Sequence, residues 1–162
     1  MKNRKGFTLV ELLAVIVILA VLVLLAVPSV LKMLDGSKES AFVVESGNII
    51  KAAKLAYSQG ILDTETDYGA SSTKTVSSPS SHTAYCYNKT DLSDFIDKNF
   101  SANVKLGVLV DPTTNAYTIY YYDGTTYYTN GQVAGSITAT KIAGTAAAAA
   151  TTYAGFDTCT GV

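Results

Sequence analysis

The sequence predicts an α+β fold in which a long N-terminal helix, first transmembrane and then amphipathic, packs on a C-terminal antiparallel β-sheet. Three observations predict it. Every residue from Leu12 to Val27 is Leu, Val, Ile or Ala. Apolar residues then recur near the 3.6-residue helical period as far as Tyr57. Runs rich in Val, Ile, Thr and Tyr, separated by turn residues, fill the second half of the chain.

Extended back through Phe7, the apolar run is about 21 residues, a helix of roughly 31 Å, which matches a hydrocarbon core of about 30 Å. Lys2, Arg4 and Lys5 precede it with no acid among them, so the positive-inside bias keeps the N-terminus in the cytoplasm and sends the remainder outward. The run is longer than a secretory h-region, and Pro28-Ser29-Val30 lacks a small-residue cleavage pattern, so the segment reads as retained. One carboxylate, Glu11, interrupts it. A charge at bilayer depth normally faces a partner rather than lipid, so Glu11 asks for a cation.

Beyond the span, Val27, Val30, Leu31, Leu34, Phe42, Ile49, Ile50, Ala53 and Tyr57 continue the helical stripe. Gln59-Gly60 offers a stop, with Lys51 and Lys54 near the favourable end of the dipole. The expected helix covers 7–58, with 7–27 as the transmembrane part. Pro28 lacks an N–H and is expected to kink it.

Residues 59–162 form the expected extracytoplasmic head. Residues 61–85 are rich in Ser, Thr, Asp and Gly and read as a surface loop. In "TDLSDFIDKNF", Thr90 is a candidate N-cap, and Leu92, Phe95, Ile96 and Phe100 have helical spacing, predicting a short helix over 91–100. "VKLGVLVD", "NAYTIYYYD", "TTYYTN" and "QVAGSITAT" read as strands of an antiparallel sheet over about 104–140, with turns at Asp111-Pro112, Asp123-Gly124 and Asn130-Gly131. In the tail, Ala146 to Ala150 fits a short helix or a packed coil equally.

Cys86 and Cys159 are the two cysteines. In an oxidising exterior a single pair most simply forms one disulfide, the alternative being two reduced buried thiols. Closing a loop of about 74 residues would contribute roughly 4 kcal/mol in the chain-entropy model. A net charge of −1, with no Lys/Arg cluster outside the N-terminal tail, argues against nucleic acid as a partner. His82, the one histidine, has no acid or cysteine at metal-ligand spacing and reads as a solvated surface residue. "DTETDYG", Asp63 to Gly69, departs from a calcium loop, because its glycine falls one place late and Lys74 stands where the bidentate acid belongs. Asp91, Asp94 and Asp97 read as the solvated face of the short helix. Asn88-Lys89-Thr90 and Asn99-Phe100-Ser101 match the N-glycosylation pattern, a short motif that carries little weight alone. Tyr117, Tyr120 to Tyr122, Tyr127 and Tyr128 offer an aromatic surface, although strand alternation turns about half of them into the core, with Tyr121 on the face opposite Tyr120 and Tyr122 and either side open to burial.

Lys5-Gly6-Phe7-Thr8-Leu9-Val10-Glu11-Leu12-Leu13, followed by the apolar run and Pro28, closely resembles the N-terminal signature of type IV prepilins, and the phenylalanine looks like the type IVa subgroup. The resemblance implies a leader of residues 1–6, cleavage by a membrane peptidase between Gly6 and Phe7, and N-methylation of Phe7. Cleavage would remove Lys2, Arg4 and Lys5 from twelve basic side chains, leaving nine against thirteen acidic ones, and would place a new amine four residues before Glu11. The implied role of Glu11 is to pair with the Phe7 amine of a neighbouring subunit and set axial register, with apolar burial supplying cohesion. The alternative is that Glu11 is neutral, or satisfied within its own chain by contact with its own Phe7 amine.

The function so implied is that of a major pilin: a non-enzymatic structural subunit, without cofactor or metal, polymerising through its N-terminal helix into a surface fibre for adhesion, motility or biofilm formation. The implied partners are copies of itself, other pilins, the prepilin peptidase, an assembly platform with its ATPase, and the cytoplasmic membrane before assembly. A pseudopilin of a type II secretion or competence DNA-uptake system is the near alternative. A monomeric membrane-anchored adhesin is the alternative of another class.

Overall fold

A computed structural model describes residues 7–63, 67–77, 80–96, 100–142 and 151–160. The chain divides into two compact units, Met1–Lys38 and Glu39–Val162. Helix α1 (Leu9–Leu62) begins in the first and ends in the second.

In the first unit, α1 starts where Thr8 caps it. It runs through Pro28 without interruption and carries an 18-residue window of mean hydropathy 3.3. All of its large apolar side chains from Leu9 to Leu34 are exposed among the described residues. By length and composition the segment can cross a membrane.

In the second unit the sheet is a six-stranded meander in sequence order, every neighbouring pair antiparallel. Its strands are β1 (Ser72–Val76), β2 (His82–Asn88), β3 (Lys105–Asp111), β4 (Ala116–Tyr122), β5 (Tyr127–Val133) and β6 (Thr140–Lys141). One face meets the end of α1: Phe42, Ile49, Ile50 and Ala53 pack with Leu106, Val108, Ile119 and Tyr121. Alanines at 52, 53 and 56 are buried and keep the helix close to the sheet. The helix outlasts its expected stop, since Gly60 is buried within it.

The other face is covered by the chain's own C-terminal segment. A 3₁₀ helix (Tyr153–Thr158) lays Tyr153 and Phe156 against Tyr122, with Tyr120 and Tyr128 beside them. Asp157 fixes it by accepting from Leu106 N at 3.0 Å and from Lys105 Nζ at 3.2 Å. Cys159 is joined to Cys86 across the same face, at a Cα–Cα distance of 6.0 Å. Gly107 makes this approach possible, because a Cβ there would stand 1.9 Å from the Phe156 carbonyl oxygen. With both faces covered, β3 is buried almost throughout, which accounts for its unbroken apolar run.

The structure corrects several sequence expectations. The segment expected to be a loop contains β1 and half of β2, whose alternating Ser, Thr and Lys belong to an edge rather than to a loop. No helix forms from Asp91 to Ile96. Asn88 Oδ1 accepts from Thr90 N and Asp91 N, and a series of turns follows in which Phe95 N and Ile96 N both donate to the Leu92 carbonyl. Residues 97–99, with Asp97 and Asn99, lie outside the described residues, as do the alanine run and residues 64–66 of "DTETDYG". Asn130-Gly131 is no hairpin turn. It lies inside β5, where Ile119 pairs with Gln132 but Tyr120 with Asn130, leaving Gly131 (φ +64°) as the extra residue of a bulge. Of "QVAGSITAT" only the ends are strand, as the finish of β5 and the start of β6.

Candidate functional site

The candidate site is the head of α1. Phe7 is 88% exposed, and Gly6 lies outside the described residues. Thr8 N donates to Glu11 Oε2 at 2.8 Å and Thr8 Oγ1 donates to the same oxygen at 2.9 Å, while Glu11 N lies 3.3 Å from Thr8 Oγ1. This is the reciprocal capping box of a Thr-x-x-Glu start. The carboxylate is therefore satisfied within its own chain through Thr8. The sequence reading missed Thr8, although the four-residue pattern Thr8-Leu9-Val10-Glu11 carries the signal.

Chemically the arrangement holds an anion at the positive end of a helix macrodipole, one turn from the chain's new terminus if the bond after Gly6 is cut. The uncovered apolar residues behind it are the larger energetic reserve, each contributing about 1.5–3 kcal/mol when buried.

Among its described residues the head contributes no comparable site. No group of three or more His, Cys, Asp or Glu side chains placed to hold a metal occurs among the described residues. Asp91 spends its carboxylate on structure, accepting from Asn88 N at 2.9 Å, Ser71 N at 3.1 Å and the Ser71 hydroxyl. The expected aromatic surface is largely interior. Tyr121 stacks on Phe42, Tyr117 and Tyr127 are buried, and Tyr128 stacks on Tyr153 at 4.7 Å. Burial, reinforced by the Glu45 carboxylate, pushes the Tyr121 hydroxyl far above its ordinary value of 10.

His82 is not the solvated residue expected. Its side chain and that of Asp111 are each 12% exposed and stand 2.9 Å apart. Their separation of 29 residues leaves no local signal in the sequence. Partial burial would raise the Asp111 carboxyl, but hydrogen bonds from His82 and from Thr114 and Thr113 outweigh it and hold the group at about 2. The hydrogen bond to Asp111, followed by that to the Ser80 carbonyl, raises His82 above 6.5.

Among protein families, the prokaryotic N-terminal methylation motif matches residues 1–27. No curated protein and no solved structure matches the chain. The motif is the type IV pilin leader signature and marks a type IV pilin-like or pseudopilin precursor, which implies processing by prepilin peptidase and assembly with other pilins. The apolar start of α1 fits membrane anchoring of that precursor.

Proposed function

We propose that the chain is a structural subunit, a major pilin, of a type IV pilus, and that it has no catalytic activity of its own. The observation that carries this reading is the methylation motif set directly on an apolar helix whose side chains are exposed among the described residues. Held in the membrane, the precursor loses residues 1–6, Phe7 is methylated, and an assembly platform driven by an ATPase lifts the subunit into a fibre. There the helices of neighbouring copies replace lipid. Glu11 of an incoming subunit meets the Phe7 amine of a neighbour, and the pair sets register because an unpaired carboxylate is heavily penalised in the fibre interior. Pro28 supplies a yielding point in the helix. The disulfide-closed head faces outward for adhesion, motility or biofilm formation.

The test is immunogold labelling of sheared surface filaments, with N-terminal sequencing and mass spectrometry of the same material. The expected result is a long labelled fibre whose subunits begin with N-methyl-Phe7. Loss of secretion or DNA uptake, without long fibres, would assign the chain to a pseudopilus. An uncleaved chain that stays solitary would make it a membrane-anchored binding protein instead.

A further inference from the structure

The β1–β2 hairpin reaches beyond the rest of the sheet. β1 pairs with β2 from Ser72↔Cys86 to Val76↔His82, whereas β2 meets β3 only from Tyr85↔Val110 to Asn88↔Gly107. His82 to Ala84, and the β1 residues opposite them, therefore have no β3 ladder to hold them. Ala84 and Val76 pack beside Leu109 and Cys159, and among the described residues two polar side-chain ties also reach this stretch. Lys74 Nζ donates to the Cys159 carbonyl oxygen at 3.1 Å, and His82 meets Asp111 at the far end of β3.

The second tie has an unusual demand. His82 Nε2 stands 2.9 Å from Asp111 Oδ1 and Nδ1 stands 2.6 Å from the Ser80 carbonyl oxygen, so both ring nitrogens face oxygens that only accept. A neutral imidazole has one N–H and would turn a lone pair on one of these oxygens. Only the imidazolium satisfies both. Asp111 Oδ1 also accepts from Thr113 N at 2.8 Å and Thr114 N at 3.1 Å, so the same atom organises the β3–β4 turn. Among the described residues, Asp111 is the charged group facing His82. Val76 on β1 and Thr113 and Thr114 in the turn bring no charge, and Lys74, on the same face, is turned to Cys159.

We propose that His82 and Asp111 form a proton-gated clasp, which ties the outer end of the β1–β2 hairpin to the β3–β4 turn and opens when the imidazole loses its proton. His82 is raised in the folded protein, so its contribution is complete below the ordinary 6.5 and is lost as pH climbs through the folded value. Asp111 is lowered, so its contribution is complete above 3.8 and is lost as pH falls toward about 2. The clasp is closed between these limits and opens on the alkaline side, at the edge of the sheet, while the disulfide keeps the covering segment in place.

The experiment uses the full chain in detergent micelles, where the single histidine gives one imidazole signal. Its NMR titration is followed from about pH 5 to about pH 9, alongside amide hydrogen exchange corrected for intrinsic rate. The expected result is a midpoint above 6.5 and a several-fold loss of protection in 72–76 and 82–84 through that midpoint, with β3 and β4 unchanged. Asp111→Asn retains an acceptor for Thr113 and Thr114, and both it and His82→Gln should erase the pH step. A midpoint at or below 6.5, a hairpin whose protection ignores the titration, or a step that survives in both variants would overturn the proposal.

Discussion

Phe42 of α1 lies flat on Tyr121 of β4, ring centroids 4.9 Å apart and planes inclined by 12°. Both rings are buried, and Tyr127 closes over the edge of the pair at 5.9 Å. The contact fastens the start of the helix's amphipathic half to the middle of the sheet. Phe42→Ala is expected to destabilise the head by about 3–5 kcal/mol, the range for truncating a buried aromatic. Denaturant unfolding monitored by near-UV circular dichroism checks it, and a change under about 1 kcal/mol would mean that the helix is held elsewhere.

Glu11 combines a capping role with its proposed ion pair, and two substitutions separate them. Glu11→Gln keeps an acceptor for Thr8 but removes the charge, whereas Glu11→Ala removes both. If the charge sets register, both variants should be inserted and cleaved normally, yet both should fail to enter fibres, as read by immunoblots of sheared and membrane fractions. Fibres from the Gln variant at wild-type yield would give the role to the cap.

Gly107 and the disulfide act on one contact. Gly107→Ala would drive a methyl group into the Phe156 carbonyl and toward Cys159 Sγ, 2.9 Å away. A cost of about 1–3 kcal/mol is expected from overpacking, together with slower oxidation of the cysteines, measured by thiol alkylation during refolding. Replacing both cysteines by serine should cost roughly 4 kcal/mol. Normal stability in either variant would show that the C-terminal segment is not fastened through this point.

Thr129, opposite Tyr121 on β5, is 1% exposed, and its hydroxyl is the buried side-chain polar atom without a hydrogen-bond partner among the described residues. Thr129→Val exchanges an unsatisfied hydroxyl for a methyl group of similar shape. It should stabilise the head by about 1 kcal/mol, visible as a higher denaturant midpoint at unchanged slope. A lower midpoint would reveal a partner for the hydroxyl.

The parts legible in the sequence are those whose signal is local. The apolar run and the stripe from Val27 to Tyr57 specify α1, and β3, β4 and most of β5 declare themselves by Val, Ile and Tyr between turn residues. Asp123 illustrates why such turns are readable: its own carboxylate accepts from Thr125 N and Thr126 N, both at 2.7 Å. What escaped is set by distant contacts. "STKTV" pairs with β2 although its side chains are mostly polar, and His82 finds an acid on another strand. The spacing of Leu92, Phe95 and Ile96 is shared by consecutive turns and by a helix, so periodicity alone could not separate them.

The crosslink between Cys86 and Cys159 spans 73 residues, and this imposes a schedule on biogenesis. Cys86 is made long before its mate, so neither the bond nor the cover that Tyr153 and Phe156 lay over Tyr122 can be locked until residue 159 has been added, and an incomplete chain carries Cys86 as a lone thiol.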